Sequence, residues 1–273
     1  MSHTVTIACV QNCAGPDMDA NIERAAGLVR EAADRGAQLI ATPEHFSCLD
    51  ITGAGVTTDP RDEGEHPALP AFAEIARQTG TWLLLGSLSI RDGARSRNRS
   101  ILLDATGSIV TRYDKIHMFD IDLGKGEAYR ESDKVQPGDR AVVADSPWGK
   151  LGLTVCYDLR FAHLYRALAQ AGAGVLTCPA AFTRTTGRAH WHTLVRARAI
   201  ETGSYMIAPC QNGKHGERYT YGHSLIVDPW GEVLAEGSEE SEEVVLAEVD
   251  LERVDTVRRR LPALTHDRPF TGL

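Results

Sequence analysis

The sequence has no Cys-x-x-Cys pair, no apolar run approaching the thickness of a membrane and no surplus of basic residues. Each absence removes a class of function. Without paired cysteines a structural zinc site has little support. Six cysteines, Cys9, Cys13, Cys48, Cys156, Cys178 and Cys210, are scattered through 273 residues, far below the density of a disulfide scaffold. They read as reduced thiols, five of them small core residues. The longest apolar run, residues 82–85 with Leu88 and Ile90 beyond, falls well short of the roughly 20 residues needed to cross a bilayer. Residues 1–10 begin polar and lack the basic stretch and long apolar segment of a secretory signal, so the expectation is a cytoplasmic protein without a membrane partner. With 29 basic against 37 acidic side chains the formal charge is −8, which disfavours the Lys- and Arg-rich surface that nucleic acid requires.

What is present is the composition of an ordinary globular protein, 42% hydrophobic and 24% charged, enough apolar material for a large core. Residues 5–10 read as a strand, followed by Ile22, Ala25, Ala26, Val29, Ala32 and Ala33 at helical spacing, a stop at Gly36 and a short buried strand at 38–42. A second unit repeats this arrangement with a helix over 69–78, Gly80 as its stop and a strand over 81–90. A hairpin turning at Asp104-Ala105-Thr106-Gly107 follows. Residues 116–140 carry glycines and little periodicity and read as a long functional loop. Strand and helix alternation then restarts, with strands at 141–145, 151–155, 175–178 and 205–208 and helices at 161–171 and 189–201. It ends in a second hairpin over 225–234 with the apolar-Asp-x-x-Gly-x-apolar pattern of the first. The halves look duplicated. No linker separates them, so the expectation is an α/β fold in one domain over 1–273, two sheets face to face with helices outside. Arg258-Arg259-Arg260, at the end of a helix from about Glu252, reads as a complement to the helix dipole.

Three ionisable residues directly follow strands: Glu44, Lys115 and Cys156. Ligand crevices of α/β sheets lie at such strand ends. Any one of them has an ordinary structural explanation, but together they supply a nucleophile, a base to take its proton and a cation for an oxyanion. The start of a helix and nearby cations are expected to favour the Cys156 thiolate. A histidine base, His117 or His163, is the rival enzyme reading, and a binding or scaffold protein without turnover is the rival from another class. His190-x-His192 could suggest a metal pair, but residues two apart on a helix point in different directions, so no metal is expected.

Pro43-Glu44-His45-Phe46, Tyr113-Asp114-Lys115-Ile116-His117-Met118-Phe119-Asp120 and Thr154-Val155-Cys156-Tyr157-Asp158-Leu159-Arg160-Phe161 resemble the three signature segments of the nitrilase superfamily of carbon–nitrogen hydrolases. The likeness continues through Arg196-Ala197-Arg198-Ala199-Ile200-Glu201, Tyr221-Gly222-His223-Ser224 and Asp228-Pro229-Trp230-Gly231, almost the whole chain. It implies a four-layer α-β-β-α sandwich with Cys156 as nucleophile, Glu44 as general base, Lys115 as oxyanion stabiliser and Glu131 as a second active-site glutamate. No cofactor is implied. A homodimer is, formed through outer helices, one of them following Cys156. Ala181-Phe182-Thr183 and the run from Thr186 to Trp191 resemble the Nit amidase branch, which implies a small linear α-keto amide hydrolysed to a carboxylic acid and ammonia through a thioester. The Arg196 to Glu201 stretch leans towards deaminated glutathione as substrate, with α-ketoglutaramate the alternative. Tyr157 N–H would share the oxyanion, Arg160 would pair with the substrate carboxylate or form a structural ion pair, and Phe182 and Thr183 would line the substrate site. Ala162-His163 departs from the Pro-Glu often found there. Trp191 and Trp230 read as packing residues.

Overall fold

Along the first strand, β1 (Thr4–Gln11), Val5, Ile7 and Cys9 enter one apolar cluster while Ala8 and Val10 enter another. Successive side chains of a strand point to opposite faces, so a strand buried on both sides lies in the middle of a stack. The computed structural model describes residues 4–52, 55–124 and 126–271; readings that touch residues 1–3 or Lys125 lie outside them.

β1 runs parallel to β2 (Leu39–Ala41), and β2 to β3 (Trp82–Asp92), through the crossover helices α1 (Met18–Asp34) and α2 (Ala68–Thr79). Two antiparallel strands, β4 (Arg95–Leu103) and β5 (Ile109–Asp114), complete that side. The second half repeats the plan. β6 (Val142–Ser146) pairs antiparallel with β7 (Gly149–Leu153), which runs parallel to β8 (Ala173–Thr177) and β8 to β9 (Tyr205–Ala208). Helices α3 (Ala162–Gln170) and α4 (Arg184–Thr202) form the crossovers, and β10 (Leu225–Val227) and β11 (Val233–Glu236) close the sheet antiparallel. A last strand, β12 (Glu243–Asp250), returns to pair with β1 and occupies in the first sheet the place of β6 in the second. The orders are therefore β12-β1-β2-β3-β4-β5 and β6-β7-β8-β9-β10-β11. The inner faces share one core, and α1 and α2 cover the outer face of the first sheet through Ile22, Ala25, Val29, Phe72 and Ile75. Leu164, Leu168, Trp191 and Val195 place α3 and α4 over the second. This is the expected α-β-β-α sandwich.

The structure departs from the sequence reading in four places. β12 was not anticipated. The loop after Lys115 holds a small hairpin, Asp120–Asp122 with Ala128–Arg130, and a 3-10 turn at Glu131–Asp133; strands of three residues are too short for periodicity to reveal. Arg258, in α5 (Glu252–Arg260), does not merely complement a dipole: it donates to Ala173 O at 2.7 Å, Thr202 O at 3.2 Å and Ser204 Oγ at 2.7 Å, tying α5 to the second sheet. Trp191 is buried with Nε1 donating to His223 O at 2.7 Å, whereas Trp230 is 54% exposed.

Gly86, at the bulge where β3 shifts register against β4, lets the end of β2 approach closely. A Cβ there would run into the carbonyl oxygens of Thr42 and Pro43, the residues that lead to Glu44. Neither is a flexible side chain, so Gly86→Ala is expected to cost about 3 kcal/mol or more. Chemical denaturation checks it; a near wild-type midpoint would mean the approach is slack.

Candidate active site

Lys115 directly follows β5, and Glu44 and Cys156 are each the third residue past the ends of β2 and β7, so both sheets deliver their residues to the same end of the sandwich. Glu44 is the hub. Its Oε1 accepts from Lys115 Nζ at 2.9 Å and Asn98 Nδ2 at 2.8 Å, its Oε2 accepts from Ala181 N at 2.9 Å, and the carboxylate stands close enough to the Cys156 thiol for each to act on the other's charge. Lys115 Nζ also donates to both oxygens of Glu131, at 3.0 and 2.8 Å. Glu131 is fixed in turn by Phe119 N, which donates to its Oε2 at 2.6 Å. The four ionisable residues of the sequence reading thus meet in one network.

Two residues of the centre have backbones in the left-handed region, His45 at φ 54° and Cys156 at φ 47°. Such conformations cost of order 1–3 kcal/mol each in non-glycine residues and persist only where the surroundings hold them. Cys156 N donates to Pro179 O at 2.9 Å. Just beyond, the buried Asp158 accepts from Val155 N at 2.9 Å, Tyr113 Oη at 2.6 Å and His117 N at 3.1 Å, pinning the turn that carries the thiol. The His117 ring lies 2.7 Å from Asp158 Oδ1 and stacks on Phe161 at 3.5 Å, with His163 edge-on to both rings. The two histidines of the rival reading are engaged there and not with the thiol.

Charge in the centre follows from burial and pairing. Burial alone would raise the Glu44 carboxyl, but the Lys115 ammonium, His45 and hydrogen bonds to its oxygens bring it down to about 2. Burial alone would discharge Lys115, yet Glu131 and Glu44 hold it firmly as an ammonium. Cys156 moves the other way: burial, and then the negative charge of Glu44, push the thiol well up against the opposing pull of Lys115. The expected thiolate is therefore not the resting state. A carboxylate brought in from another strand outweighs the cations nearby.

The centre opens into a cavity of about 670 Å³ lined by Glu44, Lys115, Glu131, Cys156 and Tyr157, with Phe182 and Thr183 in its wall. The Thr183 hydroxyl is occupied, capping α4 by accepting from Thr186 N at 3.3 Å. Arg160 does not line this cavity. Its guanidinium lies over the rings of Tyr157, at 5.7 Å, and Phe182, at 5.3 Å, and meets His190 Nδ1 at 3.4 Å; among the described residues it has no ion pair. His192 turns instead to Glu236, whose Oε1 lies 2.9 Å from His192 Nε2 and 2.7 Å from His223 Nδ1, so His190 and His192 diverge as helical spacing requires. The other convergence of ligand atoms, Glu44, His45 and Glu131, surrounds the Lys115 ammonium. Asn98, whose Nδ2 bridges Glu44 and Glu131 Oε1 at 2.8 and 3.3 Å, was missed: a polar residue alternating between arginines in β4 carries no signal of its own.

Residues 6–259 match the carbon-nitrogen hydrolase family model. The chain is 38% identical over 272 residues to a deaminated glutathione amidase of Yersinia enterocolitica, covering 98% of this chain and 94% of that one. Its fold is similar to that of the C. elegans NitFhit protein, with a TM-score of 0.88 at 33% identity, over 98% of this chain and 66% of that longer one. A variant of the amidase from Nesterenkonia sp. AN1, with the acetamide moiety of fluoroacetamide covalently added at its active-site cysteine, matches with a TM-score of 0.77 at 27% identity, over 96% of each chain. The chain belongs to the carbon-nitrogen hydrolase family. It is accordingly a hydrolase of carbon–nitrogen bonds.

The depressed Glu44 carboxyl has a definite pH signature. The stability it contributes is fully present above its ordinary value of 4.5 and is lost as the pH falls through about 2. With Glu44 as base, kcat/KM for amide hydrolysis should stay level from about pH 8 down to about pH 5, because an imidazole would titrate near 6.5 and this carboxylate does not. Initial rates across that range check it. A one-proton acid limb near 6.5 would assign the base to a histidine.

Proposed function

We propose that the chain is a cysteine amidase, acting as one domain in the cytoplasm on a small linear α-keto amide of the deaminated glutathione type. The observation that carries the reading is the Glu44 carboxylate ion-paired with the Lys115 ammonium at 2.9 Å, with the Cys156 thiol beside them on the wall of the same cavity. A low carboxyl beside a raised thiol means that the proton does not leave sulfur in advance. It passes to Glu44 only as Sγ bonds to the amide carbon, while the Lys115 ammonium and the Tyr157 N–H receive the oxyanion. Glu131 grips Lys115 with both oxygens and keeps the ammonium aimed. Collapse of the oxyanion expels the amine, which takes the proton from Glu44 and leaves a thioester on Cys156. Glu44 then takes a proton from water as it attacks the thioester; collapse of this second oxyanion breaks the C–S bond, the sulfur takes the proton back from Glu44, and the acid departs. Ammonia is the amine released from a primary amide. From deaminated glutathione, whose keto acid is joined to the nitrogen of a cysteinylglycine unit, the dipeptide leaves instead. Arg160, outside the cavity and set against its aromatic wall through Tyr157 and Phe182, acts on the α-keto carboxylate by its field and not by direct contact.

Cys156→Ala should abolish turnover with the fold kept, and intact-mass spectrometry of the wild type with substrate should show an acyl adduct on Cys156. Glu44→Gln and Lys115→Ala should each lose about a hundred- to a thousandfold in kcat. Lys115→Arg should not restore activity, since a planar guanidinium cannot take the place of a compact ammonium that is 2% exposed. Near wild-type turnover in any of these variants would remove that residue from the mechanism.

We infer, further, a homodimer through the outer helices, supported by the exposed Ile200 on α4 beside Trp230 and Gly231 of the β10–β11 turn. Light scattering should give the mass of two chains. A fully active species with the mass of one chain would defeat it.

A further inference from the structure

The cavity does not end at the nucleophile. It runs outward between a hairpin, Asp50–Thr52 with Gly55–Thr57, and the turn that joins β3 to β4, and reaches Arg91, Arg95 and Lys134. Beyond Glu44, Lys115 and Glu131, its charged lining consists of Arg91, Arg95, Arg130 and Lys134 against Asp133 alone, four cations to one anion on a chain of formal charge −8. Arg91 is paired with Asp62 at 3.2 Å, and Arg130 lies in the field of Asp120. Arg95 and Lys134 are different. Arg95 Nη1 donates only to the amide oxygen of Gln136 at 3.2 Å, and Lys134 Nζ only to Val56 O at 3.1 Å; neither has a carboxylate at ion-pair distance among the described residues. Their segments are braced together, since Ser96 N donates to Lys134 O at 3.0 Å and Gln136 N to Ser96 O at 2.7 Å. Two uncompensated cations are thus held side by side on a fixed backbone at the far end of the arm.

We propose that this arm binds a free carboxylate at the end of the substrate remote from the scissile amide, which makes the preferred substrate an acyl-dipeptide with an uncapped C-terminus. The inference rests on the amidase reading and narrows its substrate class. The fork of an arginine suits the two oxygens of a carboxylate, and the neighbouring ammonium adds a point charge. The volume fits as well, because about 670 Å³ is room for a drug-sized ligand and far more than a short primary amide fills.

The test compares three substrates on the wild type and on the double variant Arg95→Gln/Lys134→Gln, both positions being exposed and outside the core. The substrates are deaminated glutathione, the same molecule with its C-terminus converted to a carboxamide, and α-ketoglutaramate, which lacks the remote half. The variant should raise KM for deaminated glutathione about tenfold with kcat little changed, the mark of lost uniform binding, and leave α-ketoglutaramate unaffected. The carboxamide should cost the wild type a similar factor and cost the variant nothing further. Equal use of acid and carboxamide by the wild type would overturn the proposal, as would a parallel loss on α-ketoglutaramate. If the wild type hydrolyses neither α-keto amide, the amidase reading fails separately. The arm is then decided by calorimetric titration of the acid and the carboxamide: tighter binding of the acid, lost in the variant, supports it, and equal affinities overturn it.

Discussion

A single buried ammonium holds this centre together. Lys115 brings together two glutamates that arrive from different parts of the chain, Glu44 from the end of β2 and Glu131 from the turn after the small hairpin. Without a cation between them, two carboxylates this close in a dry interior could not both remain charged. With it, Glu44 is held as a carboxylate, and each glutamate has a distinct task. Glu44 stands beside the sulfur, and the oxygens of Glu131 are taken up by the lysine, the Phe119 amide and Asn98. The charge balance that makes the site foldable is also what keeps a ready base beside a protonated nucleophile.

The duplication of the sheets explains how such a centre is assembled from remote residues. Each half ends its parallel strands at the same end of the sandwich, so a base from one sheet faces a nucleophile from the other across the shared core. Register matters here more than loop length. The bulge at Gly86 and the left-handed turns at His45 and Cys156 aim the side chains out of otherwise regular strands. These are the positions where local backbone preference is overruled, and they lie at the site.

Much of this was legible in the sequence because strand ends are marked by where apolar runs stop, and Glu44, Lys115 and Cys156 stand directly after such stops. The crossover helices were visible in their apolar spacing for the same reason. Glu131 was reached only through family resemblance, since a three-residue turn leaves no periodic trace. Asn98 and the outer cations Arg95 and Lys134 were invisible, because their meaning depends on which segments pair, as Ser96 does with Lys134 and Gln136. The thiolate expectation failed for a related reason: it weighed charges near Cys156 along the chain, while what decides is burial in the folded core and then Glu44, more than a hundred residues away.

The pairing of β12 with β1 has a consequence for how the protein is made. β1 emerges first, is apolar on both faces and cannot find its outer neighbour until Glu243–Asp250 has been synthesised. At about 5–20 residues per second, the edge of β1 stands open for on the order of ten to fifty seconds on the ribosome. An unpaired apolar edge is a template for another chain, and contacts between such distant segments form late in folding. Nascent chains of this protein crowded on one message would therefore be most prone to join to one another through β1, and a chaperone that shields that strand until the last sheet strand arrives would raise the yield of native protein.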